Sequence, residues 1–266
     1  MIKIILSDID GTFLKDDKTP TELHAAAIKS VVAKGLKFVF VSARMPEAIY
    51  PITDALGMVH TPVISYGGGL VLTEHEEIIF DKKMPAEDSK KILAEMKRGW
   101  QNITINFYTG RRWFVEKFDE RIEFEMKITG AKAELANFDE LLSENIFPNK
   151  IMIICEPEIC ADMEKNLGKK FPALNVVRSA PYLLEIMDKS VSKATGIKVL
   201  LKHYGFTLDE AIAFGDNYND TEMLELIPQS VAMANAPAAV KKLAAAVTDS
   251  NKDSGIYNYL VKIGVI

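Results

Sequence analysis

The order of apolar runs and helix signals predicts an α/β protein, a doubly wound parallel-sheet core with an inserted α+β cap domain. Three observations carry this. Near-continuous apolar runs, Ile2 to Leu6 and Leu36 to Val41, have the pattern of strands buried on both faces. A capped helix signal lies between them, giving strand, helix, strand, the signature of a right-handed parallel unit. The same rhythm resumes after about residue 190, whereas the stretch between carries alternating and amphipathic strands.

The elements follow in order. In Thr19-Pro20-Thr21-Glu22, Thr19 is placed to cap the first helix, Pro20 suits its first position and Glu22 completes a capping box. Ile28, Val31 and Val32 give that helix an apolar face, and Gly35 ends it. Near the C-terminus, Ser192 to Tyr204 is predicted as a helix with Ile197, Leu200, Leu201 and Tyr204 inward and Gly205 at its end. Ala211 to Phe214 and Val231 to Met233 are short buried strands, Thr221 to Ile227 is a helix, and another begins near Pro237. Between these halves, strands are expected at Ile103 to Tyr108, Trp113 to Lys117, Ile151 to Cys155, Val176 to Arg178 and Leu183 to Met187. Thr109-Gly110 marks a hairpin, and helices are expected at Ala86 to Arg98, Glu120 to Lys127 and Glu158 to Lys170. The domains are therefore placed at 1–83 with 188–266 for the core and 84–187 for the cap, with crossings near Asp81 to Pro85 and Met187 to Ser190.

Composition narrows the function classes. The 266 residues are 48% hydrophobic and carry a net charge of −5, with their basic pairs scattered, which argues against a nucleic-acid binder. Cys155 and Cys160 make no Cys-x-x-Cys pair, and His24, His60, His75 and His203 show no zinc spacing to them, so buried, reduced thiols are expected. The N-terminus reaches a charge too early for a signal peptide, and no apolar run approaches the roughly 20 residues of a membrane span. A cytoplasmic protein without membrane or nucleic-acid partners is expected. Oligomeric state leaves no mark in the sequence.

Four polar clusters fall where a doubly wound sheet gathers its ligands, at the carboxyl ends of strands and the starts of the helices beyond them. They are Asp8-Ile9-Asp10-Gly11-Thr12, Ser42-Ala43-Arg44, Lys193, and Gly215-Asp216-Asn217-Tyr218-Asn219-Asp220. Alone, the first could be an aspartate-capped turn and the last a helix N-cap. Together, Asp8, Asp216 and Asp220 crowd negative charge that a cation must compensate, and carboxylates without His or Cys suit Mg²⁺. A lysine, a hydroxyl and glycine-loop amides suit phosphoryl oxygens. Asp8 is then a candidate nucleophile, and Asp10 could give a proton to the leaving oxygen and later activate water. Arg44 could reach substrate or pair with a carboxylate. Gly67 to Gly69 could flank phosphate, but a hairpin before Leu70-Val71-Leu72 is the better fit. Phe107, Tyr108 and Trp113 fit core positions, and His24 and His203 a helix surface.

These four clusters, in this order, resemble the motifs of the haloacid dehalogenase superfamily, and the insertion resembles the type IIB caps of Cof-type phosphatases. The tail runs Val231 to Ala236 and Thr248 to Asn251 are similar to that group too. The resemblance implies a Rossmann-like core and a Mg²⁺-dependent phosphatase acting on small phosphorylated metabolites, sugar phosphates among them, through an aspartyl-phosphate on Asp8. It implies Asp10 as the acid/base, Asp8, Asp10 (by its backbone carbonyl), Asp216 and Asp220 around the metal, and Ile9, Ser42, Ala43, Lys193 and Asn219 around the phosphate. Ala43 stands where the family usually has glycine, Phe13 where it has leucine and Gly67 where it has asparagine. A sugar phosphomutase using the same intermediate and a non-catalytic regulator that binds a phosphorylated metabolite are the competing readings. An intact Asp8 and Asp10 argue against the regulator, since binding needs neither.

Overall fold

The computed structural model describes residues 1–58 and 61–266, so His60 lies outside the described residues. In chain order its elements are β1 (Ile4–Ser7), α1 (Glu22–Ala33), β2 (Lys37–Val41), α2 (Pro46–Ala55), β3 (Val63–Ser65), β4 (Leu70–Leu72) and β5 (Ile78–Asp81). Then come α3 (Ala86–Gly99), β6 (Thr104–Thr109), β7 (Arg112–Val115), α4 (Glu120–Thr129), β8 (Ala133–Leu135), α5 (Phe138–Ser143), β9 (Lys150–Ile154), α6 (Pro157–Lys170), β10 (Leu174–Ala180) and β11 (Leu183–Asp188). The chain closes with α7 (Lys193–Tyr204), β12 (Ala211–Gly215), α8 (Thr221–Leu226), β13 (Gln229–Ala232), α9 (Ala238–Lys241), β14 (Ala246–Val247) and α10 (Gly255–Lys262). Contacts divide it into two units, 1–80 with 192–266, and 81–191.

In the first unit the sheet order is β14-β13-β12-β1-β2-β3-β4-β5. Pairing is parallel from β14 through β3, and antiparallel between β3 and β4, where the chain doubles back through a tight turn. β1 is central and wholly buried. Ile4 and Leu6 face α7 and α8 in one apolar cluster with Val39, Ile197, Leu200, Ala213 and Met223. By the two-residue period of a strand, Ile5 points to the other face, which Phe38 and Phe40 share. There Phe13 packs edge-on to Phe40, with ring centroids 4.9 Å apart.

Two details of α1 differ from the sequence expectation. Its cap is Thr21, whose side chain accepts from the His24 amide, because the Thr19 hydroxyl is already spent on Asp17 in the preceding turn. His24 is fully buried rather than on the surface. It shares the buried stripe of Ala27, Ile28 and Val31, and Ile256 of the C-terminal helix donates its amide to Nε2 at 3.2 Å. The other ring nitrogen, Nδ1, donates to the Phe13 carbonyl at 2.9 Å.

α7 is held close to the sheet by missing side chains. A Cβ on Gly68 would lie 2.0 Å from the Ser192 carbonyl oxygen, and one on Gly196 would meet Ile64 at 2.6 Å. Gly68 also sits at φ +103°, which glycine alone adopts readily. The same 66–69 turn donates Tyr66 N–H to the Arg44 carbonyl and Gly67 N–H to the Ser42 carbonyl. It is thus the hairpin turn expected, and it braces the loop after β2.

The second unit is a sheet in the order β10-β11-β9-β6-β7-β8, antiparallel except for β7 with β8. Helices α3, α5 and α6 supply Ile92, Met96, Phe138, Met163 and Leu167 to a core against Phe107, Ile151 and Ile186. On the alternate face Trp113 donates Nε1–H to Asn106 at 2.9 Å, and buried Lys150 pairs with Glu185 at 3.5 Å. Where the chain enters and leaves, Lys82 pairs with Asp188 at 3.4 Å. The expectation of free thiols is corrected here: Cys155, just past β9, and Cys160, in the first turns of α6, are joined as a disulfide. Turning directly from strand into helix brings their Cα atoms to 6.0 Å, a span a disulfide bridges. Among the described residues, no helix is long and apolar enough to cross a membrane.

Candidate active site

The parallel sheet brings the predicted residues to one edge. Asp8 follows β1, Ser42 follows β2 and Asp216 follows β12, while Lys193 is the first residue of α7. Register places Ser7 between Phe40 and Phe214, and the Asp8 amide continues the ladder by donating to the Phe214 carbonyl at 3.0 Å. Ser192 caps α7, accepting from the Thr195 amide, and this sets Lys193 at the helix start.

Lys193 is almost fully buried. A helix N-terminus is a poor place for a cation. Its ammonium offsets this by donating to Asp8 Oδ1 and, at 2.5 Å, to Asp220 Oδ1. The other oxygen of Asp220 accepts the amides of Asp216 and Asn217 at 2.8 and 2.9 Å, which folds the loop after β12 around it. Glycine is required at Gly215, where a Cβ would lie 2.7 Å from the Asp220 Cβ.

Asp216 is held from two sides. Thr12 donates its hydroxyl to Oδ1 at 2.7 Å, and Asn235 donates Nδ2–H to Oδ2 at 3.3 Å and to the Gly11 carbonyl at 2.8 Å. Gly11, at φ +86°, lets the first loop approach: a Cβ there would sit 2.4 Å from Asp216 Oδ2. Asn251 in turn donates its amide to Asn235 and its side chain to the Leu14 carbonyl. The sequence alone assigns no role to Thr12, Asn235 or Asn251, which the fold brings to this site. The available signal for Asn235 was a polar side chain just past the carboxyl end of β13.

Asp10 faces different company. Arg44 grips it with Nε on Oδ2 and Nη2 on Oδ1, both at 2.8 Å, and Lys18 donates to Oδ1 at 2.8 Å. Of the two roles open to Arg44, pairing with a carboxylate is therefore present. The Arg44 amide donates to Ser42 Oγ at 3.2 Å. Ile9 is buried, Ala43 half-buried, and Asn219 exposed on the turn Tyr218–Asp220.

These surroundings separate the carboxylates electrostatically. Burial pushes Asp8 up to about 8, against the pull of Lys193 and with the push of Asp220. Burial likewise raises Asp216 to about 6, opposed by the Thr12 hydrogen bond. Burial would raise Asp10 too, but Arg44 and Lys18 overcome it and hold that group at about 2. For Lys193, burial opposes the charge and the two carboxylates more than offset it, so its pKa is raised. Oxygens of Asp8, Asp216 and Asp220 lie within 4.8 Å of one another. Three hard oxygen donors in a pocket that disfavours their charge fit a divalent metal ion, whose charge would reverse the upward shifts.

A buried carboxylate beside a lysine and a cation-ready acidic cluster, at the carboxyl edge of a parallel sheet, defines a hydrolase class, and comparison names it. Residues 5–260 match the haloacid dehalogenase-like hydrolases, and the chain belongs to that family. It is a phosphatase, and the Cof-type resemblance read from the motifs is met. A Haemophilus influenzae protein whose name classes it, provisionally, as a phosphatase is 34% identical over 260 residues, 96% of each chain. The structure of TM0651 from Thermotoga maritima is similar at 29% identity and a TM-score of 0.88, covering 98% of this chain and 97% of that one. A haloacid dehalogenase-like hydrolase from Bacteroides thetaiotaomicron is similar at 26% identity with the same TM-score, covering 99% and 100%.

Proposed function

We propose that this phosphatase hydrolyses phosphate monoesters of small metabolites, sugar phosphates among them, in two steps through an aspartyl-phosphate on Asp8, with Mg²⁺ as its metal. The observation that carries the reading is the Asp8 carboxylate, buried at the end of β1 with Lys193 on one oxygen and the Asp216 and Asp220 oxygens close by.

In the first step a carboxylate oxygen of Asp8 attacks phosphorus, the ester P–O bond breaks, and the departing oxygen takes a proton from Asp10. The negative charge of the arriving phosphate favours the protonated form of Asp10, against the pull of Arg44 and Lys18. In the second, Asp10 takes a proton from water, the water oxygen attacks phosphorus, and inorganic phosphate leaves with Asp8 restored. Lys193, Ser42 Oγ, the Ile9 and Ala43 amides and Asn219 hold the phosphoryl oxygens. Asp8, Asp216, Asp220 and the Asp10 carbonyl would hold Mg²⁺, which supplies charge neutralisation at the phosphoryl group. Enzymes accelerate this reaction class by up to ~10²¹-fold, and one general acid gives only about 10²–10⁴. Positioning and electrostatics must therefore carry most of the gain. The second unit, 81–191, serves in this reading as the cap that selects substrates.

The test is Asp8→Asn assayed with p-nitrophenyl phosphate, expected to show no turnover in a chain with unchanged circular dichroism; retained turnover would sink the reading. Product analysis with a hexose 1-phosphate separates hydrolysis, which frees phosphate, from a mutase, which isomerises the sugar phosphate.

A further inference from the structure

Two cations converge on Asp10, which is more than neutralising one carboxylate requires. What distinguishes Arg44 is geometry. Its planar fork takes both oxygens at 2.8 Å, which fixes the rotation of the carboxylate as well as its place. Asp10 needs such a fixture. It lies on a loop, its side chain is 38% exposed, and a short carboxylate there has several rotamers open to it.

Arg44 is itself anchored. Its side chain is only 20% exposed, its amide donates to Ser42 Oγ and its carbonyl accepts the Tyr66 amide. The chain from the rigid end of β2 to Asp10 is therefore continuous, and it ties the acid/base to the hydroxyl proposed to hold phosphate. Lys18 is the lesser partner: its side chain is 61% exposed and its ammonium reaches one oxygen of Asp10, from a turn organised by Asp17.

We propose that Arg44 is the positioning residue of Asp10, acting on catalysis through that carboxylate rather than through substrate or metal. The inference rests on the acid/base role proposed for Asp10. Arg44→Ala is expected to lower kcat about 10²-fold, the cost of an ångström-scale misplacement of a reacting group, with little change in KM. Arg44→Lys, which keeps the charge but loses the fork, falls between the two. Neither change removes the amide that reaches Ser42.

The deciding experiment is a cycle of Arg44→Ala, Asp10→Asn and the double variant, each with its circular dichroism spectrum and its kcat on p-nitrophenyl phosphate. If Arg44 acts through Asp10, the double variant matches Asp10→Asn within a few-fold. Losses that multiply, or a raised KM for Arg44→Ala, overturn the proposal. A second readout does not need residual activity in Asp10→Asn. For Arg44→Ala, kcat/KM must fall further on an alkyl phosphate, whose leaving group needs the proton, than on p-nitrophenyl phosphate; equal falls overturn it. Native kcat in Asp10→Asn would instead overturn the acid/base role, and the inference with it.

Discussion

Replacing Lys193 by methionine tests the electrostatics of the site without any substrate. The ammonium sits between Asp8 and Asp220, whose side chains are 7% and 0% exposed, while its own is 1% exposed. Methionine keeps the length and the apolar stem but leaves two buried carboxylates facing each other. Removing one partner of a buried ion pair costs about 3–5 kcal/mol. For a chain of this size that lowers the melting temperature by roughly 6–20 °C. The assay is thermal unfolding by far-UV circular dichroism with a chelator present. Adding Asp220→Asn should recover most of the loss, since its amide oxygen can still accept the Asp216 and Asn217 amides while its NH₂ faces Asp8. A Lys193→Met chain that melts with the parent would refute the idea that this lysine compensates the carboxylates.

Other expected outcomes follow from the same geometry. Thr12→Val removes the hydroxyl on Asp216 Oδ1 and should raise the Mg²⁺ concentration for half-maximal p-nitrophenyl phosphate turnover about 10–100-fold; an unchanged titration would remove Thr12 from that role. Burial lowers the pKa of His24 against the Phe13 carbonyl, so the folded chain holds a neutral ring and the unfolded chain takes up the proton. Stability is then complete above the ordinary histidine value of about 6.5 and declines as pH falls through it, so the urea midpoint should drop between about pH 7.5 and 5.5. In His24→Gln that part of the slope should vanish. Gly68→Ala should cost more than the roughly 1–2 kcal/mol of a left-handed alanine, because its Cβ also meets the Ser192 carbonyl. Gly57→Ala, at φ +71° with open space around it, should cost only the conformational part in a urea titration.

What the sequence disclosed were features decided locally. Ile4 to Leu6 show a doubly buried strand by composition alone, and Ser192 with Gly205 brackets α7 by capping chemistry. Because ligands collect at strand ends, Asp8, Ser42 and Asp216 could be placed on one edge before any pairing was known. What stayed hidden depends on distant partners or on competition between neighbours. His24 resembles a surface residue until Ile256 covers it, from more than two hundred positions away. Thr19 loses the cap to Thr21 through a side-chain bond to Asp17 that no spacing reveals. α2 carries Pro46 and Pro51, which weaken its helix signal in the sequence, although Pro46 serves as its first residue. The strand β8 and the helix α5 are short enough to lack a periodicity. The grip of Arg44 on Asp10 joins residues 34 positions apart on separate loops, and only the fold reveals it.

The pairing of β1 has a cost during synthesis. One neighbour, β2, emerges within about 35 residues, but the other, β12, follows about 200 residues later, after the whole of 81–191. At a bacterial-to-eukaryotic elongation rate of roughly 5–20 residues per second, the strand leading to Asp8 waits some ten seconds or more with one apolar edge unpaired. An edge of that kind is a template for pairing with the wrong strand. The nascent chain should therefore be most prone to aggregation, and most dependent on chaperones, in that interval. Ribosome-stalled chains ending before Ala211 would be the ones to show it.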